Sequence, residues 1–208
     1  MTQTRRRRAN GEASRQRILD AAADVAGERG YEGTSINLVS DRSGLPPSSI
    51  YWHFKNKDEL IAAVIDRSFS AWAEALRRSM VMPPEGTRED VFRLTLKRSG
   101  RALAEFPDFL RLGIMLILER RPDEPTARQK FLEVREHTAD RTRALYELYF
   151  DDLDADDIAA LVRLTIATAD GLFIAREIEE IDLSSAFDLL ANAVLGAASR
   201  LAAARSQP

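Results

Sequence analysis

Apolar positions along this chain recur at spacings of three and four, and no segment alternates apolar and polar residues for long enough to make a strand, so the pattern predicts helices with one buried side. Ile18, Ala22 and Val25, with Leu19 and Ala26 beside them, mark the first such side, and Gly30 stands where that helix should stop. Thr34 and Ser35 are N-cap residues for a short second helix that carries Ile36 and Val39 and ends at Gly44. Pro47 suits the first turn of a third helix, where a missing amide hydrogen costs nothing. That helix is short, because Asn56 can cap a new one and Glu59 can complete its capping box. The fourth helix is read as running to a break at Pro83-Pro84, roughly 40 Å at ~1.5 Å per residue.

Beyond the break, Thr87 to Asp90 reads as a capping box opening a helix with Val91, Leu94 and Leu103 on its inner side, interrupted at Pro107. An apolar stretch follows from Asp108 to Glu119, then Pro122 and Pro125, then a charged amphipathic helix from Thr126 to Phe150. Asp154 can cap the next helix, with Asp157 at its third position, and Asp182 or Ser184 can start the last, which ends near Arg205. The expected fold is all-α. We divide it into a flexible basic arm over 1–13, a helix-turn-helix domain over 14–60, and a larger helical body over 61–208.

Charge is unevenly spread. The first 17 residues hold six arginines (Arg5 to Arg8, Arg15 and Arg17) against Glu12 alone, a balance of +5, so the remainder carries −8 of the formal net charge of −3. A basic end on an acidic body suits contact with a polyanion, and equally a merely solvated tail. Apolar runs such as Ile114 to Leu118 are far short of the ~20 residues of a membrane span, and no apolar stretch follows the N-terminal arginines, so a cytoplasmic protein is expected. Zero cysteines exclude disulfides and thiolate metal sites, and with only His53 and His137 no histidine metal cluster is expected. No nucleophile–base pair or phosphate-cradling glycine loop is legible, so we expect neither an enzyme nor a cofactor.

The stretch LPPSSIYWHFKNKDEL, Leu45 to Leu60, carries the most information. Three short helices, the second and third joined by a tight turn at Gly44-Leu45, make the pattern of a helix-turn-helix, whose third helix enters the major groove. At 100° per residue Ile50 and Phe54 share an inner side with Ile36, Val39 and Ile18, whereas Ser48, Tyr51, Trp52 and Lys55 project outward. Tyr51 offers a hydroxyl to a phosphate, Ser48 and Ser49 let the helix approach base edges, and Lys57 sits at a helix N-terminus beside the backbone. His53 reads as a groove-side or capping residue.

The segment GTSINLVSDRSGLPPSSIYWHFKNKDEL resembles the DNA-binding signature of the tetracycline-repressor (TetR) family of bacterial transcription regulators, with Gly33, Gly44, Tyr51, Phe54, Lys55, Asn56, Lys57 and Leu60 all at matching positions. The likeness runs from Ser14 to about Ile65. Thereafter it is limited to length, helix order and the Asp170-Gly171-Leu172 step. It implies backbone contacts from Ser35, Tyr51 and Lys57, and base-edge reading by Asn37, Pro47, Ser48, Ser49, Trp52 and His53. It also implies phosphate or minor-groove contacts from the arginine arm. Pro46 departs from the hydroxyl cap common in the family, which puts the phosphate contact made there in doubt.

The last two helices are apolar on more than one side. Ile158, Leu161, Val162, Thr165, Ala169 and Leu172 form one stripe, widened by Ile166 and Phe173; Phe187, Leu189, Leu190, Ala193, Val194, Ala197 and Leu201 form the other. Surfaces so broad need more than one neighbour, and we expect a four-helix interface between two copies, with Gly171, Ala193, Gly196 and Ala197 allowing close approach. Two recognition helices ~34 Å apart would then read a near-palindromic operator. A small hydrophobic or amphipathic effector that tilts the fourth helix would change that spacing. Its expected lining is Trp72, Phe92, Phe106, Phe109, Met115, Tyr146, Tyr149 and Phe173, with His137 and Asp170 as polar anchors. The alternative is an effector-independent DNA-binding architectural or regulatory dimer.

Overall fold

The computed structural model describes residues 2–79, 86–118 and 126–205, and every regular element among them is an α-helix. The helices are α1 (Thr2–Gly33), α2 (Ile36–Ser43), α3 (Pro47–His53), α4 (Lys57–Ser79), α5 (Arg88–Glu105), α6 (Asp108–Leu118), α7 (Thr126–Tyr149), α8 (Ala155–Arg176) and α9 (Leu183–Arg205). The prolines expected to break the chain, at 83, 84, 122 and 125, lie outside the described residues, as do the side chains of Arg5 to Arg8. Helix α1 already begins at Thr2, so residues 2–13 extend the first helix where a flexible arm was expected.

Several helix ends follow the chemistry read from the sequence. Gly30 takes φ 69°, ψ 179° and kinks α1 where the helix was expected to stop. Ser35 accepts from the Leu38 amide at the start of α2, and Gly44 ends it at φ 65°, a left-handed position that costs a side-chain-bearing residue ~1–2 kcal/mol. Thr87 and Asp90 form the reciprocal capping box of α5. Asp154 accepts from the amides of Asp156 and Asp157, and Asp182, rather than Ser184, caps α9 through the amides of Ser184 and Ser185.

Packing divides the chain into two compact units: Met1–Ser70 with Pro107–Val134, and Ala71–Phe106 with Arg135–Pro208. Helix α4 runs on unbroken past residue 60, and α6 belongs to the first unit. In that unit Ile18, Leu19, Val25, Val39, Ile50 and Leu60 are all 2 % exposed or less. Helix α6 is held to α4 by the Phe109 amide donating to Ser68 Oγ at 3.1 Å and by the edge of Phe69 against Phe109. Gly113 lets α6 lie on Phe131 of α7, since a Cβ there would fall 2.1 Å from that ring.

In the second unit α5 lies against α9 at Gly100, where a Cβ would come 2.4 Å from the Leu183 carbonyl oxygen. Arg93 grips both oxygens of Asp188 at 3.2 and 3.0 Å across the same pair. The core gathers Phe92, Leu96, Tyr146, Phe150, Ile158 and Leu161 with residues of α9. Phe92, Leu96 and Leu103 form the inner side of α5; Val91 and Leu94, expected there, are half-buried. By length and composition α8 and α9 are apolar enough to cross a membrane, which run-length reading missed; their buried sides here build this core.

Candidate nucleic-acid interface

Helix α3 has two unlike sides. Ile50 is fully buried and Phe54 3 % exposed, whereas Tyr51 is 56 % and Trp52 75 % exposed. Burying the first pair on the first unit's core fixes the rotation of the helix, and that rotation presents the second pair to solvent. Pro46 supplies no side-chain cap, as its lack of a donor or acceptor side chain requires; its carbonyl accepts from the Ser49 amide at 2.9 Å instead.

The turn before α3 is pinned from several directions. Ser40 Oγ donates to the Leu45 carbonyl at 2.7 Å, the Leu45 amide donates to Ser43 Oγ at 3.3 Å, and Arg17 of α1 donates to the Ser43 carbonyl at 2.6 Å. Arg42 pairs with Glu28 at 2.9 Å, which ties α2 to α1; that hydrogen bond holds the Glu28 carboxyl below its ordinary value. The result is a rigid mount for a seven-residue helix too short to be stable alone.

Two surface concavities flank α3. One is lined by Thr34, Ser35, Ile36 and Asn37 together with Tyr51, Lys55, Asn56 and Lys57, and so collects the starts of α2 and α4 beside the Tyr51 ring. At the start of α4 the Glu59 amide donates to Asn56 Oδ1 at 2.8 Å and Glu59 Oε2 accepts from the Lys55 amide at 2.8 Å. The expected capping box is therefore present, closed on Lys55 rather than Asn56. The second concavity joins Ser48, Ser49, Trp52 and His53 to Asn10, Gly11 and Ser14 of α1.

The structure thus brings Ser35, Asn37, Tyr51 and Lys57 together on one flank and Ser48, Ser49, Trp52 and His53 on the other; Pro47 is exposed at the first turn of α3. The Lys57 ammonium donates to the Tyr31 carbonyl at 3.0 Å, lies 4.3 Å from the centre of the Tyr31 ring and stands 3.7 Å from a Glu32 carboxylate oxygen. His53 is half-buried, its ring edge-on to Trp52, and burial followed by the nearby charge of Arg15 pushes its pKa down.

Asn10, Gly11 and Ser14 were missed because the first helix was read only from Ile18. The signal was there: Asn10, Ser14 and Ile18 repeat at four, and Ser14 Oγ donates to the Asn10 carbonyl at 2.9 Å.

The residues expected to line an effector pocket are shared between the two units. Phe109 and Met115 belong to the first unit and the rest to the second. Phe92 and Tyr146, with ring centres 5.4 Å apart, fill core like the buried Phe173, and Tyr149, half-buried, stands with its ring centre 5.3 Å from that of Phe92. Trp72 and Phe106 are half-buried, the Trp72 indole facing the Ser99 carbonyl at 3.4 Å. His137 is exposed, so it is no anchor in an interior pocket. Asp170 is engaged by Arg135 at 2.8 and 2.6 Å; burial raises its pKa, and the arginine opposes that rise.

The residues expected at a dimer interface divide similarly. Ile158, Leu161, Val162, Thr165, Leu190 and Val194 are at most 9 % exposed within one chain, so they serve its own core. Ala169 and Leu172 are half-buried. Ala193, Ala197 and Leu201 do reach the surface, in a shallow groove with Ala160, Leu164 and Gly196.

Comparison with known proteins agrees with this geometry. Residues 18–64 match the family model described as bacterial regulatory proteins, tetR family. The chain is 25 % identical over 117 residues to the fatty acid metabolism regulator protein of Bacillus subtilis, covering 56 % of this chain and 58 % of that one. It is 28 % identical over 138 residues to the HTH-type transcriptional activator FasR of Mycolicibacterium smegmatis, covering 66 % and 59 %. The match therefore spans somewhat over half the length of these relatives. In fold, the chain superposes on the transcriptional regulator FadR from Bacillus subtilis in complex with stearoyl-CoA with a TM-score of 0.67 at 17 % identity, covering 86 % of this chain and 96 % of that one.

Proposed function

We propose, proceeding from this chain's membership of the tetR family of bacterial regulatory proteins, that it is a homodimeric repressor of transcription in the cytoplasm. It leaves a near-palindromic operator when a small hydrophobic or amphipathic molecule binds its body. The observation that carries the reading is the two-sided recognition helix, with Ile50 sealed in the core, Tyr51 held out beside the starts of α2 and α4, and Trp52 held out on the other flank beside α1. A soluble chain gains nothing in stability from two such rings in water, whereas a duplex supplies phosphates, sugars and base edges to both flanks.

The dimer is supported by the groove on α8 and α9. Leu164 is 45 % exposed, and Gly171 and Gly196 have nothing within 4 Å of where a Cβ would stand. Small residues flanked by apolar ones let a second pair of helices approach closely. Two copies related by a two-fold axis would present two recognition helices to half-sites about one helical turn apart.

The effector class is supported by the relative solved with stearoyl-CoA, an amphipathic thioester. In this chain Trp72, Phe106 and Tyr149 are the half-buried aromatic residues left with surface to offer it. The test begins by selecting bound duplexes from a random pool. Sedimentation at micromolar concentration should then give a dimer, and stearoyl-CoA titrated into the complex should lower fluorescence anisotropy of the selected duplex. Release by no acyl-CoA or other amphipath would favour the effector-independent regulator, and a persistent monomer would remove the paired half-sites.

A further inference from the structure

Asp58, one residue into α4 from Lys57, holds three donors from two other helices. Its Oδ1 accepts from the Tyr31 hydroxyl at 3.0 Å and from the Ala127 amide at 3.2 Å, and its Oδ2 accepts from the Thr126 amide at 2.5 Å. Thr126 and Ala127 open α7, and both of their amides donate to Asp58. A carboxylate at that end also meets the positive pole of the helix. Asp58 therefore acts as the cap of a helix ~70 residues further along the chain.

Tyr31 is shared. The residue is 6 % exposed, its hydroxyl goes to Asp58, and its carbonyl and ring face receive the Lys57 ammonium. The Tyr31 carbonyl also accepts from the Thr34 amide at 3.2 Å, so it keeps a partner when Lys57 turns toward a phosphate. Lys57 and Asp58 are consecutive, and what fixes one fixes the other. The place where the first turn of α4 meets DNA is thus set by the same carboxylate that closes the first turn of α7.

We propose that Asp58 is a latch that couples DNA binding to the first turn of α7, with the closed latch being the DNA-binding form. The proposal rests on the reading of this chain as a DNA-binding regulator. A duplex that fixes the start of α4 against α1 selects the closed form, and anything that draws the start of α7 away from Asp58 weakens the grip of Lys57 and Tyr51 on the backbone. Coupling of this kind is reciprocal, so DNA must alter the protection of the α7 amides by the same factor that the latch alters DNA affinity.

Hydrogen exchange of the 126–131 segment reads the latch directly, because the two amides at its start donate to Asp58. In the full-length chain, adding a duplex selected from a random pool should slow exchange there on the order of tenfold, within the range of such couplings. Asp58→Asn, which loses one acceptor oxygen, should abolish the DNA-dependent slowing and weaken duplex binding by a similar factor. Tyr31→Phe removes only the hydroxyl link, keeps the ring under Lys57, and should give a reduced DNA response in a chain that folds as the parent does. A merely structural Asp58 would raise exchange in the variant yet leave the DNA-dependent difference intact, and that outcome overturns the latch. Equal exchange with and without duplex in the parent overturns it too, while leaving the regulator reading in place; a chain that selects no duplex sinks both.

Discussion

The Tyr146 hydroxyl lies 2.6 Å from Thr165 Oγ1 inside the second unit's core, and Thr165 in turn donates to the Leu161 carbonyl at 2.9 Å. Because the threonine's single hydrogen is committed to Leu161, Tyr146 is the donor of the pair. The two deletions are therefore not equivalent. Tyr146→Phe leaves Thr165 with its partner and should cost about 1 kcal/mol, whereas Thr165→Val leaves the tyrosine hydroxyl buried and unpaired and should cost about 1–3 kcal/mol. Urea unfolding of both variants checks the order; a Phe variant less stable than the Val variant would contradict this donor assignment.

The same hydroxyl predicts an alkaline limit. Burial raises the Tyr146 pKa from 10.0 to about 12. The unfolded chain gives up this proton first, so the group's contribution is whole below about pH 10 and is lost as pH rises through the folded value near 12. Melting temperatures followed from pH 9 upward should fall more steeply in the parent than in Tyr146→Phe.

At the acid end the helix caps decide. Asp154 is held below the ordinary carboxylate value chiefly by the Asp157 amide and next by the Arg205 guanidinium, and Asp182 chiefly by the Ser185 hydroxyl. For these groups the folded pKa is the lower one, so their stabilisation is present above about pH 4, the unfolded value, and drains away as pH falls through the folded values. Asp154→Asn, still able to accept the amides of Asp156 and Asp157, should flatten the loss of melting temperature between pH 5 and pH 2. An unchanged slope would mean that the charge on Asp154 does not matter to stability.

Much of this was legible in the residues themselves, and what was not has a common cause. Caps are local: Ser35, Thr87, Asp154 and Asp182 need only the next three residues, and each sits where the sequence placed a helix start. The two sides of α3 are local as well, since one turn of helix separates Ile50 from Phe54. The broad apolar surfaces of α8 and α9 were read as partner-facing, yet Leu161, Val162 and Val194 meet the chain's own α5 and α7 core, because a period shows that a side is buried and not against what. The expected effector lining carries the same ambiguity: Phe92 and Tyr146 are large enough for a pocket and equally suited to fill one another's gaps, as they do here. Asp58, with its cap on a helix begun at Thr126, had no local signal at all.

Gly100 tests the contact of α5 with α9. A methyl there would stand 2.4 Å from the Leu183 carbonyl oxygen and 2.8 Å from the Phe187 ring, and backbone cannot move aside as a flexible side chain would. Gly100→Ala gains helix propensity of roughly 1 kcal/mol yet should still destabilise, since overpacking costs typically ~1–3 kcal/mol and a clash with main chain belongs at the upper end. Gly171→Ala and Gly196→Ala meet open space in a single chain, so they separate propensity from contact. They should raise the stability of a monomer slightly, and any loss of dimer in sedimentation would locate the partner at those positions.

Recognition and folding should come apart on the two sides of α3. Trp52 is 75 % exposed, so Trp52→Ala should shift stability by no more than about 0.5 kcal/mol, the usual bound for a surface change. Ile50 is fully buried, so Ile50→Ala should cost about 2–5 kcal/mol from lost burial and the cavity left behind. On DNA the order inverts for protein that remains folded: Trp52→Ala should weaken the selected duplex by roughly tenfold, through base-edge or sugar contacts, and change preference at the base pairs it faces. Tyr51→Phe, which removes only the hydroxyl, should weaken selected and unrelated duplexes alike, because a phosphate contact carries no sequence information. If Trp52→Ala bound the selected duplex as the parent does while Ile50→Ala at low temperature did not, the outward side of α3 would be decoration and the duplex would have to meet another surface.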